Sequence, residues 1–432
     1  MSGQAIGLKR RDLLKLIAAG VAVPSAMVAS GCVSTGSKTA GHIVVIGGGF
    51  GGGSAARYLK RYNPDLAVTM IEPKTSYITC PGSNWVIGGE AKMATITHDY
   101  KAVRNNGVTV VHDTVKSVDT TAKTLQLAGG KTLNYDKVVV SPGIDFKWNE
   151  IEGATPDIAA KTPHAWKAGD QTLLLRKQLQ AMPEDGTFIM VAPPNPFRCP
   201  PGPYERASMV AHYMTQYKPG ARLIILDQKD EFSKQALFMQ GWKENYGERI
   251  QWIAKTDGGE AVGIDADKKV VRTTLGSFEG DVINYIPPQK AGQLAQDMGL
   301  ADKSGFCPIN QKTFASKQIN DVYVIGDAAI ASPMPKSAHS STSHGKIVAA
   351  NIVLEMAGEP TIAAKNVNTC YSLIAPDYGI SVAAVFDMVD GEIERIEASR
   401  GISRMDATRQ ERRLEANYAR GWYRSITDEV WG

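Results

Sequence analysis

The chain has 432 residues, 43% of them hydrophobic and 21% charged, which implies two or three domains and a globular protein with a sizeable core. Its formal charge is +4, but Lys9, Arg10, Arg11 and Lys15 against Asp12 supply three of those charges. The remainder is nearly neutral and has no Lys/Arg-rich run, which argues against a nucleic-acid partner, and nothing beyond the N-terminus reaches the ~18 purely apolar residues of a spanning helix.

Residues 1–40 read as an export signal and tether. Lys9-Arg10-Arg11-Asp12-Leu13-Leu14-Lys15 precedes an apolar run from Leu16 to Ala29, a pattern that resembles a twin-arginine signal. That route carries folded proteins and implies a periplasmic location; the competing reading is a basic tail before a short hydrophobic helix. Ala29-Ser30-Gly31-Cys32 resembles a lipoprotein box with a polar tether behind it. Either Cys32 carries a lipid anchor on an otherwise soluble fold, or cleavage is ordinary and Cys32 incidental.

His42-Ile43-Val44-Val45-Ile46 is an apolar run of strand length, and a glycine-rich turn follows at once. A helical pattern then ends near Asn63-Pro64, and Ala67 to Ile71 is a second strand closed by Glu72. Gly47, Gly49 and Gly52 form G-x-G-x-x-G in the turn, and Glu72 lies twenty residues past Gly52, where an acid meets a ribose hydroxyl. The glycines admit a pyrophosphate to the backbone, and the helix N-terminus stabilises its charge. From Val108 to Leu133 short strands are expected, with turns at Asn106-Gly107 and Gly129-Gly130. Tyr135 to Gly143 then resembles the second flavin motif of two-dinucleotide flavoproteins, with Gly143 letting the chain pass close to the cofactor.

A second nucleotide-fold half begins near Gly186, with strands Thr187 to Ala192 and Arg222 to Asp227. Where a glycine motif would cradle NAD, the turn reads Pro193-Pro194-Asn195-Pro196-Phe197-Arg198-Cys199-Pro200-Pro201-Gly202-Pro203. Proline offers no N–H to a phosphate, so this half lacks the NAD motif. Val322 to Ile325 followed by Gly326-Asp327 resembles the third flavin motif, whose aspartate bonds the ribityl chain. From about Pro360 short strands and a final helix are expected, ending aromatic at Trp422, Tyr423 and Trp431.

The fold class is therefore α/β, a two-dinucleotide-binding-domain flavoprotein of the glutathione-reductase-like kind with an α+β C-terminal domain. The boundaries are 41–150 and 291–358 for the two parts of the FAD-binding domain, 151–290 for the second nucleotide fold, and 359–432 for a C-terminal interface domain.

Five cysteines are present: Cys32, Cys80, Cys199, Cys307 and Cys370. No C-x-x-C or C-x-x-C-H occurs, so the chain has neither zinc ribbon nor covalent haem. Cysteine arithmetic alone leaves Cys199 and Cys370 open between buried thiols, a structural staple and a redox disulfide.

Much of the chain, from about Gly41 to Gly432, is similar to the flavoprotein subunit of flavocytochrome c sulfide dehydrogenase. The segments that carry the resemblance are Phe197 to Ser208, Pro163 to Gly169, Ile286 to Gln289, Asn368 to Ser372 and Tyr378 to Ala384. The resemblance implies that Cys199 and Cys370 form the redox-active disulfide. It makes Glu205 a candidate general base for hydrogen sulfide, the alternative being a solvated helix residue. It also implies that Cys80 holds FAD covalently through the 8α-methyl, although Pro81-Gly82-Ser83-Asn84 departs from the family pattern just after it. Cys307 acquires no role and reads as a small buried residue. The implied activity is oxidation of hydrogen sulfide to sulfur or polysulfide, with electrons passed to a c-type cytochrome subunit in a heterodimer. Two other readings stand beside it: a sulfide:quinone oxidoreductase, and a non-catalytic flavin-binding lipoprotein. The proline-rich turn argues against an NADH-dependent disulfide reductase.

Overall fold

The computed structural model describes residues 40–432; Arg10, Arg11 and Cys32 lie outside the described residues, and with them the export and lipidation patterns. The glycine motif sits as expected between β1 (His42–Ile46) and α1 (Phe50–Tyr62), and β2 (Ala67–Ile71) follows. Asn63 ends the helix because the residue before proline is pushed out of helical geometry. The short strands expected between Val108 and Leu133 include β3 (Thr109–Val111), and β4 (Lys137–Val140) carries the second motif.

The second half is built from β5 (Thr187–Ala192), α2 (Gly202–Tyr217), β6 (Arg222–Asp227), α3 (Gln235–Tyr246), β7 (Ile250–Ile253) and β8 (Val282–Tyr285). Its four strands are parallel in the order β7–β6–β5–β8. Such strands are buried on both faces, so each reads as a continuous apolar run rather than an alternating one.

The chain then returns through β9 (Val322–Val324) to the first sheet, whose parallel order is β9–β4–β1–β2–β3. Ile46 pairs with Val140, and Val140 with Val324. That register brings Gly47, Gly143 and Gly326 out at the carboxyl ends of three adjacent strands, where open α/β sheets bind ligands.

Next come α4 (Ala338–Met356), β10 (Asn366–Ala375), β11 (Tyr378–Val389), β12 (Glu392–Arg395), β13 (Gly401–Ile402) and α5 (Arg409–Trp431). Here expectation and structure differ, because β10 and β11 form an antiparallel pair of 10 and 12 residues rather than short strands. The buried face of β10 carries Asn366, Asn368, Cys370 and Ser372, while Val367 is exposed. Polar residues inward and an apolar one outward invert the pattern by which a long half-buried strand is recognised.

A Thr408–Glu411 capping box starts α5, and Arg412, Ala416, Ala419, Tyr423, Ile426 and Val430 form its buried stripe at helical spacing. The stripe runs from the β10–β11 hairpin back to the first domain. A Cβ on Gly379 would stand 2.4 Å from Ala416 N, and one on Gly53 2.4 Å from Val430 Cγ1. Arg57 on α1 donates to the carbonyls of Asp428 and Glu429, at 3.1 and 2.8 Å, closing the C-terminal end of α5. Tyr423 and Trp431 are core: Trp431 stacks on Tyr77 at 5.0 Å, and the Tyr423 hydroxyl meets Thr79 Oγ1 at 2.8 Å.

Candidate active site

The carboxyl ends of β1, β4 and β9 open on a cavity of about 450 Å³. Ten of the eleven site residues expected from sequence line it: Gly47, Gly49, Glu72, Cys80, Gly143, Cys199, Glu205, Gly326, Asp327 and Cys370. Gly52 does not. A Cβ there would stand 1.9 Å from Gly47 O, so Gly52 lets α1 pack against the turn that it follows. Glu72 accepts the Gly48 N–H at 2.9 Å and fixes that turn. Gly47, Gly143 and Gly326 all have positive φ, the conformation that glycine adopts without strain.

Two observations test the fit of a dinucleotide flavin. First, α1 starts with no capping side chain and no acid in its first turn, which leaves N–H groups for an anionic pyrophosphate. Second, Asp327 lines the cavity with Oδ1 buried and unpartnered, while Oδ2 lies 3.7 Å from Arg198 Nη1. A buried carboxylate oxygen without a donor suits a hydroxyl of the ribityl kind. Gly326 is held by its N–H, which donates to His344 Nδ1 at 3.2 Å. Burial pushes His344 down to about 3, so its ring is a neutral acceptor.

Cys80 Sγ donates to the Trp166 carbonyl at 3.4 Å, and Arg198 Nη2 donates to the same oxygen. The departure after Cys80 has a structural consequence. Gly82, at φ 82, turns the chain into the short helix Ser83–Gly88, which carries Asn84 and Trp85. Both reach Glu205, Asn84 Nδ2 donating to Oε2 at 3.0 Å and Trp85 Nε1 to Oε1 at 3.2 Å. A third donor is Leu373 N on β10, 2.9 Å from Oε1. Glu205 is therefore a buried acceptor in the first turn of α2 and not a solvated helix residue. It lies six residues after Cys199, and its partner Leu373 three after Cys370, so one carboxylate ties together the two segments that bear these cysteines.

Cys199 adopts φ 58, a left-handed conformation rare for a side chain of its kind, and is held by its N–H donating to Lys336 O at 2.7 Å. The four described cysteines are all free thiols, so the Cys199–Cys370 bond expected from the resemblance is not formed in this structure. The two face one cavity and influence each other. Burial pushes the Cys199 thiol up, and the nearby charges of Cys370 and Glu205 push it further, against Arg198. Cys370 is likewise raised by burial, with Lys234 and hydrogen bonding to Asn368 opposing. Cys307 is buried away from the cavity lining, as expected of a small core residue.

Sequence reasoning missed Asn84, Trp85, Arg198 and Arg206 as parts of this site. Arg206, 1% exposed, donates to Asn84 Oδ1 at 3.0 Å, Asn284 Oδ1 at 3.0 Å, His164 O at 2.8 Å and Ala165 O at 2.6 Å. Its guanidinium also lies 4.9 Å from the centre of the Trp166 ring. Only for Arg198 and Arg206 was a signal available, since both fall inside the family-like run Phe197 to Ser208.

Comparison with known proteins agrees with this geometry. Residues 172–287 match the family model of the central part of the sulfide dehydrogenase [flavocytochrome c] flavoprotein chain. Residues 362–431 match flavocytochrome c sulphide dehydrogenase, flavin-binding, and residues 41–181 match pyridine nucleotide-disulphide oxidoreductase. The sulfide dehydrogenase [flavocytochrome c] flavoprotein chain of Chlorobaculum thiosulfatiphilum is 57% identical over 44 residues, which is 10% of this chain and 92% of that one. Mitochondrial sulfide:quinone oxidoreductase of Dictyostelium discoideum is 23% identical over 75% of this chain and 73% of its own. In structure, the sulfide:quinone oxidoreductase of Aquifex aeolicus superimposes with a TM-score of 0.71 at 18% identity, over 90% of this chain and 92% of that one, which supports the two-domain α/β flavoprotein fold. With its cavity and its flavin-binding motifs, the chain is an FAD-binding oxidoreductase and belongs to the family of flavocytochrome c sulfide dehydrogenase flavoprotein chains.

Proposed function

We propose that this protein oxidises hydrogen sulfide with Cys199 and Cys370 as a redox pair, and passes the electrons to a c-type cytochrome bound as a partner subunit. The observation that carries this reading is the meeting of both cysteines with the flavin-motif residues in one cavity, with Glu205 joining the segments that bear them. Hydrosulfide adds to one sulfur of the oxidised pair; a new S–S bond forms, the old one breaks, and its electron pair leaves on the other cysteine as a thiolate. Glu205 would hold the two sulfurs in register and take the proton of hydrogen sulfide, a role supported by its link to both cysteine segments and by the one lone-pair site left after three donors. When bound, FAD supplies an acceptor for an electron pair that can be passed on one electron at a time.

The twin-arginine pattern supports a periplasmic site of action, where a one-electron carrier of the cytochrome c kind is the fitting acceptor. The relatives that are sulfide:quinone oxidoreductases favour a second reading in which a quinone takes the electrons. The two separate in one assay. With sulfide as donor, the purified native protein should reduce cytochrome c faster than a soluble quinone analogue, and it should copurify with a haem-bearing chain. Isolation without haem together with faster quinone reduction decides for the second reading.

Cys80 is the proposed covalent anchor for FAD, on the strength of its position in the cavity wall and its thiol fixed against Trp166 O. Acid-precipitated protein should stay yellow, and Cys80→Ser should release its flavin into the supernatant. Complete release from the unmutated protein would rule out the bond.

A further inference from the structure

Lys234 takes no part in the chemistry above, yet it is buried beside it. It stands in the turn before α3 at φ 61, a left-handed conformation, and is 7% exposed. Its ammonium donates to Ser372 Oγ at 2.9 Å and lies 5.7 Å from the centre of the Phe238 ring. Among the described residues it makes no ion pair, whereas the buried Lys229 nearby in sequence is paired with Asp227. A buried ammonium without a counter-charge is costly, so it either gives up its proton or is offset by an anion.

The groups available to supply that anion are few. Ser372 follows Cys370 by two residues on β10, so the two side chains emerge on the same buried face. The titratable groups acting on the ammonium are, in order, Cys370, Glu205, Cys199 and Glu415. They come from β10, α2, the turn before α2, and α5. The Glu205 carboxylate already accepts three N–H groups, and Glu415 is taken up by Ser381, Ser403 and Arg412. Cys199 has the charge of Arg198 nearby to oppose its upward shift. Cys370 is left.

We propose that Lys234 is the counter-cation of Cys370, favouring the thiolate of that sulfur over its thiol whenever the Cys199–Cys370 pair is open. The inference rests on the redox-pair reading of the proposed function. Lys234 acts through Cys370 and is a positioning residue. Burial pushes its own amine down to about 8, so it remains largely charged at neutral pH, and it is the foremost charge opposing the upward push of burial on Cys370.

The test is the pH profile of Cys370 alkylation in the flavin-bound, dithiothreitol-reduced protein, read by peptide mass spectrometry after brief iodoacetamide treatment. Lys234→Met should move the profile of Cys370 up by about one pH unit or more, which below the midpoint is a roughly tenfold slower reaction. The profile of Cys199 should move less. Lys234→Arg keeps the charge and should stay within about threefold of the unmutated protein. Lys234→Gln, which keeps a donor for Ser372 Oγ, serves if the methionine variant does not fold, and should shift as methionine does. Coincident Cys370 profiles for the neutral variants and the unmutated protein would overturn the proposal. The redox-pair reading fails by a different sign: if sulfide reduces the flavin at an undiminished rate when Cys199 and when Cys370 is replaced, the relay is lost, whatever the alkylation profiles show.

Discussion

Replacing Cys199 or Cys370 with alanine is expected to slow flavin reduction by sulfide at least about a thousandfold, as loss of one member of a unit acting together does. Reduction by dithionite, which needs no cysteine, should be unchanged. The reason is stoichiometric as much as geometric. A lone thiol cannot present the electrophilic S–S bond that hydrosulfide attacks, and the remaining sulfur, whichever it is, has no partner with which to expel the product. Both thiols are raised by burial in this structure, so neither is expected to substitute for the pair as an ordinary exposed nucleophile. Rapid-mixing absorbance of the bound flavin gives the rate directly. Sulfide reduction at an undiminished rate in both variants would end the relay.

The second large effect is on stability. Arg206→Met keeps most of the aliphatic stem but strips the donors from Asn84 Oδ1, Asn284 Oδ1, His164 O and Ala165 O, all of them interior. Breaking such a buried network from one side costs about 3–5 kcal/mol, because the orphaned acceptors lose water as well as their partner. The denaturant midpoint should fall accordingly with little change in slope. The damage should also reach the cofactor, since Arg206 fixes the segment ending at Trp166, whose carbonyl receives Cys80 and Arg198. A loss below about 1 kcal/mol would mean that water replaces the guanidinium, contrary to its full burial.

The parts of this architecture legible in the sequence are those governed by local rules. β1, α1, β2, β5 and β6 follow from apolar runs and glycine turns, and the parallel register then delivers the three flavin motifs to one edge. What was not legible depends on pairs far apart in the chain. Glu205 stands between a candidate base and a solvated helix residue until Asn84, Trp85 and Leu373 are brought to it. Nothing local marks Lys234, whose setting appears only when β10 turns Ser372 toward it. Gly52 belongs to the motif by spacing, but its work is steric packing within the turn. The aromatic end of the chain divides according to the stripe of α5: Tyr423 and Trp431 lie inside it, and Tyr418, 58% exposed, lies off it.

The closure of α5 by Arg57 fixes an order of events during synthesis. The first nucleotide-binding unit, α1 included, leaves the ribosome some 370 residues ahead of its partners Asp428 and Glu429, roughly 20 to 75 seconds at ordinary elongation rates. Throughout that interval Trp431, which packs on Phe50 and Tyr77, and Val430, which packs on Gly53, are absent. The backing of the cavity residues Phe50 and Tyr77 is thus among the last contacts of the fold to form, and a nascent chain stalled before residue 430 would leave their outer face uncovered.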